Sequence, residues 1–197
     1  SEPVHLTLHL TDRCNLACRY CYARPGTTDL AFETAVTAIK KCATGPDCGI
    51  IFFGGEPLLC ADMIWRIMDW CAARGPHRFH FKVTTNGTLL DDAFLGEAAR
   101  RGLHIALSHD GAQAAHDAFR VRPGGGGTFA EVDAALARLL KKRPYSPVLL
   151  TVNPETAGQF AAGVQELQAK GVQYLIASLN HAGAWTDTAL RTLEKEF

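Results

Sequence analysis

No sign of charge dominates this sequence: 20 Lys and Arg stand against 20 Asp and Glu, with eight His besides. Basic residues form no long run, so there is no electrostatic footprint for nucleic acid or for an anionic membrane surface. Long apolar runs are missing too. The longest, Ile50-Ile51-Phe52-Phe53, is far short of a bilayer span, and the first residues lack the basic-then-apolar pattern of a secretory signal. These absences imply a cytoplasmic setting, where seven cysteines point to metal or thiol chemistry and not to a disulfide framework. At 197 residues the chain holds one well-buried domain, or part of a larger one.

Three of the cysteines, Cys14, Cys18 and Cys21, form a C-x3-C-x2-C run directly after the strand-like segment Val4 to Leu10. Thiolates are soft donors suited to iron in a sulfide cluster, and three from so short a segment can bind three corners of a cubane. No fourth cysteine lies within the run, which leaves one iron to bind something other than protein. A structural zinc site is the alternative. Zinc wants a fourth ligand, for which His5 or His9 is available, but its usual spacings are C-x2-C and H-x3-H. Cys42, Cys60 and Cys71 fall on the apolar stripes of helices and read as small buried hydrophobes, while Cys48 opens a strand.

Strand-like and helix-like segments alternate along the chain. Apolar periodicity predicts helices through Phe32 to Cys42, Cys60 to Cys71, Asp91 to Arg101, Phe129 to Leu139, Phe160 to Leu167 and Thr186 to Phe197, with a short one from Gln113 to Phe119. Between them lie strands at Cys48 to Phe53, Phe79 to Thr84, Leu103 to Leu107, Val148 to Val152 and Val172 to Ala177. Gly124 to Gly127 reads as the most flexible stretch. Six strand-then-helix units require parallel strands and right-handed crossovers, in a doubly wound sheet or a barrel. They are too few to close the usual barrel of eight strands, which takes roughly 250 residues. In either architecture ligands gather at the C-terminal ends of the strands, and each distinctive polar motif falls at such an end: Gly54-Gly55-Glu56-Pro57, Thr85-Asn86-Gly87, Ser108 with Asp110, and Asn153. Each of these also reads as a plain turn or helix start, with Pro57 in the first helical turn and Asp110 as a cap.

The cysteine spacing, with Tyr20 immediately before Cys21, resembles the signature of the radical SAM superfamily. That resemblance implies a partial (β/α)6 barrel of parallel strands, open on one side. It implies a [4Fe–4S] cluster on Cys14, Cys18 and Cys21 and S-adenosylmethionine on the open iron, cleaved reductively to methionine and a 5′-deoxyadenosyl radical. It places Gly54, Gly55, Glu56 and Pro57 at the ammonium group of S-adenosylmethionine and Ser108 and Asp110 at its ribose and methionine parts. Arg120, in a His116-Asp117-x2-Arg120 continuation, faces its carboxylate, Tyr20 lies near its adenine, and Asn86 belongs to the cofactor-binding set. No catalytic acid or base is assigned.

In detail the chain is similar to the subgroup of anaerobic sulfatase-maturating enzymes and peptide modifiers that carry a SPASM or twitch extension. The expected substrate is then a peptide or protein side chain that loses hydrogen, and the expected partner a reductant such as flavodoxin or ferredoxin. A C-terminal cysteine cluster is missing, so auxiliary clusters are not assigned. The last helix keeps an apolar stripe up to Phe197 without a stop signal, which leads to the expectation that residues 1–197 are the core domain of a longer enzyme, truncated at its C-terminus. A cluster-bearing electron carrier or an S-adenosylmethionine-binding interaction module is the competing class. A simple carrier would favour four protein ligands and would have no use for the motifs after the later strands.

Overall fold

The computed structural model describes residues 4–75 and 78–197. Six strands form one sheet in sequential order: β1 (Val4–His9), β2 (Asp47–Phe53), β3 (Arg78–Thr85), β4 (Leu103–Ser108), β5 (Pro147–Val152) and β6 (Tyr174–Leu179). Pairing is parallel in each register described, from Val4 opposite Cys48 to Val152 opposite Leu179. Helices α1 (Phe32–Cys42), α2 (Ala61–Ala72), α3 (Asp92–Arg101), α4 (Gln113–Phe119), α5 (Phe129–Lys142) and α6 (Phe160–Ala169) fill the crossovers, and α7 (Asp187–Glu194) follows β6. With β1 and β6 at the two ends of the order, this is the open (β/α)6 arrangement and not a closed ring of eight.

Two compact units divide the chain. The first holds residues 1–15, 23–85 and 89–106, the second 16–22, 86–88 and 107–197. In the first, Ile50 and Phe52 of β2 are fully buried, as are Ile64 and Ile67 of α2, and Ile39 of α1 is nearly so. These are the positions that the 3.6-residue period of the helices and the apolar run of the strand put on one face. In the second, Val132, Leu136 and Leu139 of α5 pack on the same principle, with Leu107 and Val148 fully buried in their strands. Asp91 caps α3 through a bond from Phe94 N–H (2.8 Å), and Gly102 ends that helix in the left-handed conformation at φ 73°.

Two expectations need correction. The sixth strand starts at Tyr174, two residues later than the apolar run suggests, because Val172 turns inward and its N–H bonds to Leu167 C=O at the end of α6. The final helix ends at Glu194. Phe197 lies beyond it, 92 % exposed, with its ring 5.3 Å from that of Phe160. The glycine run is a closed turn, in which Arg122 N–H bonds to Gly126 C=O and Gly125 N–H to Arg122 C=O, both at 2.8 Å. Among the described residues no helix is long and apolar enough to cross a membrane.

Candidate active site

In the first unit the loop after β1 meets the loop after β2. Gly55 N–H donates to Thr11 C=O (2.8 Å) and Glu56 N–H to Arg13 C=O (2.9 Å), so the residues before Cys14 are laced to the Gly-Gly-Glu segment. A Cβ on Gly55 would stand 2.1 Å from Arg13 O, and one on Gly54, whose φ is 136°, 2.4 Å from Thr11 O. The glycines are therefore required by the backbone of residues 11–13 itself, apart from any room they leave for a ligand. Glu56 is fully buried. Its Oε1 accepts from Leu58 N–H (2.9 Å) and Thr85 Oγ1 (2.8 Å), which makes it the cap of the 3-10 turn Pro57–Cys60, with Pro57 in the first turn as expected. Arg13 makes a two-pronged pair with Asp29 (2.9 and 2.8 Å), and Thr11 Oγ1 donates to the same carboxylate (2.6 Å), holding that carboxyl below its usual range.

In the second unit the residues on either side of Cys18 and Cys21 are pinned by α4 and its C-terminus. Ala17 N–H bonds to Val121 C=O (2.8 Å), Arg19 N–H to Phe119 C=O (2.9 Å), and Cys21 N–H to Cys18 C=O (3.0 Å). Tyr20 is held by residues of this same unit. Its ring lies 5.8 Å from Phe119 with the Arg120 guanidinium 5.3 Å away, and its hydroxyl donates to Asp110 Oδ2 (3.0 Å). Burial first, and the Asp110 charge against the opposing Arg120, push the phenol well above its usual range, so it stays a donor.

Asp110 is neither a helix cap nor an open acceptor. Ala112 occupies the cap position of α4. The Asp110 carboxylate takes Arg120 Nε (2.9 Å) and Tyr20 Oη on Oδ2, and Arg120 Nη2 (3.1 Å) and Thr151 N–H (2.9 Å) on Oδ1. Four donors fill the roughly four acceptor sites a carboxylate offers. Burial opposes the Arg120 charge, but Asp110 together with Tyr20 and Cys18 more than offsets it, so the guanidinium stays charged. Ser108, half-buried at the end of β4, differs: among the described residues its hydroxyl has no hydrogen-bond partner. Asn86 Oδ1 closes a local turn by accepting from Thr88 N–H (3.0 Å) and Thr88 Oγ1 (2.8 Å). Asn153, buried after β5, accepts from Asn180 Nδ2 (2.9 Å).

All seven cysteines are thiols. Cys14 and Cys18 are half-buried and Cys21 is exposed, whereas Cys48 and Cys71 are buried, Cys71 being pushed by burial to about 12. Among the described residues no three His, Cys, Asp or Glu side chains enclose a single metal ion. That describes a mononuclear site, and the thiolates of a cubane each hold a different iron. Three soft donors on one backbone-anchored loop, none of them fully buried, fit a cluster by their chemistry.

The sequence profile of the Radical SAM superfamily matches residues 8–167. The chain belongs to that superfamily. Its members are enzymes that use a [4Fe–4S] cluster and S-adenosylmethionine, and the matched span includes Cys14, Cys18 and Cys21. An uncharacterised protein of Methanocaldococcus jannaschii is 34 % identical over 110 residues, 54 % of this chain and 38 % of its own length. The serine-type anaerobic sulfatase-maturating enzyme of Klebsiella aerogenes is 28 % identical over 185 residues, 88 % of this chain and 46 % of its own length. The chain thus spans less than half of either relative. Among solved structures, anSMEcpe with AdoMet and a peptide bound superposes with a TM-score of 0.87 at 22 % identity, covering 98 % of this chain and 59 % of that one. The likeness shows the shared fold.

Proposed function

We propose that this chain is the core domain, residues 1–197, of a radical SAM enzyme that takes a hydrogen atom from a peptide or protein side chain, with a low-potential flavodoxin or ferredoxin as reductant. The observation that carries the reading is the cysteine loop, three thiols on a segment whose backbone is tied on one side to the Gly-Gly-Glu turn and on the other to the residues around Arg120. Likeness to sulfatase-maturating enzymes supports the substrate class. When bound, the two cofactors supply one electron and the cleavage of S-adenosylmethionine to methionine and a radical that accepts the hydrogen.

The residues have separable tasks. Cys14, Cys18 and Cys21 hold the cluster. Ser108 offers its open hydroxyl to the cofactor, and Arg120, two of whose five N–H donors go to Asp110, turns remaining donors to the cofactor carboxylate. Asp110 and Tyr20 orient Arg120 and the cysteine loop instead of touching ribose or adenine. Glu56 and Pro57 build the turn behind Gly54 and Gly55, which leaves backbone atoms of that turn to meet the ammonium group, and Asn86 shapes the turn after β3. Anaerobic reconstitution with iron and sulfide, followed by dithionite and S-adenosylmethionine, tests the reading. Release of 5′-deoxyadenosine is expected, with deuterium carried into it from a side-chain-deuterated peptide substrate. A reconstituted cluster whose spectrum and products ignore S-adenosylmethionine would leave an electron carrier in its place.

A further inference from the structure

Behind Asp110 lie two histidines with no exposed surface, His109 and His116, their ring centroids 4.9 Å apart. Phe129 meets both edge-on at 5.3 and 5.8 Å. Each ring accepts one hydrogen bond from the turn after β4: Asp110 N–H points to His116 Nδ1 (3.3 Å) and Gly111 N–H to His109 Nδ1 (3.1 Å). A nitrogen that accepts carries no proton, so both neutral rings are Nε2–H tautomers.

The far side of His116 requires the same tautomer independently. The Thr128 hydroxyl has one proton, which it gives to Arg120 C=O (2.7 Å). Toward His116 Nε2, 3.1 Å away, it can therefore only accept. The bonds run in one direction, from Asp110 N–H to His116, from His116 to Thr128, and from Thr128 to Arg120 C=O. The Arg120 to Asp110 ion pair closes this path into a ring. Burial keeps both imidazoles neutral, at about 4 for His109 and about 3 for His116. Across the turn, Gly111 sits at φ 81°, and a Cβ there would meet Gly163 Cα of α6 at 2.7 Å, so the turn is clamped from both sides.

We propose that His116, seconded by His109, is a positioning residue of the S-adenosylmethionine site: through the consecutive N–H groups of residues 110 and 111 it fixes the turn that aims Ser108 and Arg120. This rests on the assignment of those two side chains to the cofactor. A histidine that merely filled space would be replaceable by phenylalanine. One that serves as acceptor is better replaced by asparagine, whose Oδ1 stands close to the place of Nδ1.

Three measurements test it. Nitrogen NMR of the imidazoles in the full chain as purified should show both buried rings as Nε2–H tautomers, and an Nδ1–H tautomer at His116 would overturn the ring of bonds. In the reconstituted enzyme, His116→Phe should raise the KM for S-adenosylmethionine about tenfold, more than it lowers kcat, with His116→Asn recovering most of the loss. The same ranking is expected in the perturbation of the reduced cluster's paramagnetic resonance spectrum by S-adenosylmethionine. Wild-type affinity in His116→Phe overturns the positioning role alone. A wild-type chain that ignores S-adenosylmethionine overturns the cofactor assignment and the role built on it, while leaving the tautomers as found.

Discussion

Replacing Arg120 by methionine removes a guanidinium of similar length and leaves Asp110 with two donors where it had four. The side chains are 8 % and 2 % exposed, so water reaches the abandoned carboxylate poorly. Tyr20 Oη at 3.0 Å and Thr151 N at 2.9 Å remain, which satisfies half its acceptor sites but none of its charge. Breaking a buried pair from one side costs about 3–5 kcal/mol. Asp110→Asn is expected to cost a similar amount, because the amide's NH2 must face one of the donors the carboxylate received. The double variant carries neither orphan charge and should cost less than the sum, with a coupling of about 1–3 kcal/mol. Urea unfolding of the four proteins, at constant m, measures the cycle. Arg120→Met destabilised by less than about 1 kcal/mol, or single effects that add within about 0.5 kcal/mol, would refute the reasoning.

The histidine pair makes stability depend on pH in a defined window. Folded values of about 4 and about 3 lie below the unfolded value of about 6.5, so the unfolded chain binds more protons as pH falls. The contribution is complete above about pH 6.5 and shrinks toward the folded values, each histidine losing roughly 2 kcal/mol by pH 5. Asp133, Asp110 and Asp117 oppose this shift and Arg120 and Lys170 reinforce it, without reversing it. Unfolding midpoints that stay flat from pH 7.5 to 5 would contradict it. Cys14→Ala, Cys18→Ala and Cys21→Ala should each lose most bound iron after reconstitution whereas Cys42→Ala keeps it, and full iron in Cys14→Ala would remove the cluster assignment. Gly55→Ala should destabilise by at least about 1–3 kcal/mol and impair cluster loading, because the added Cβ would meet the Arg13 carbonyl oxygen at 2.1 Å. Gly96→Ala in α3, with nothing near its Cβ position, should gain up to about 1 kcal/mol, and equal melting temperatures for the two would count against the clash.

The elements that the sequence displayed best are those with one buried face. Ala35, Val36 and Ile39 recur at helical spacing because they line one side of α1, and the run in β2 is unbroken because most of that strand is buried. β6 was misplaced for the opposite reason. Five of its six residues are exposed, so no pattern of burial marks its ends. In α7 an apolar stripe exists in the letters, but Leu190 is 42 % exposed and Leu193 is the buried residue, so phase alone carried the helix too far. The cysteine loop was legible because its chemistry is local, three thiols within eight residues of chain. The environment of Asp110 was not. Its donors come from residues 20, 120 and 151, and nothing near Asp110 in sequence announces that they converge. His109 and His116 stand on either side of the turn after β4, and their acceptor role depends on Thr128 and on burial.

The close approach of residues 11–13 to Gly54 and Gly55 bears on how such chains drift over generations. Those two glycines answer to the loop's main chain whether or not a molecule is bound. A descendant that ceased to use S-adenosylmethionine would still have to keep them for as long as the loop kept its path, while the hydroxyl at position 108 could vanish without breaking a hydrogen bond among the described residues. A paired glycine after the second strand therefore marks ancestry, and decay of the chemistry would first become visible at the serine.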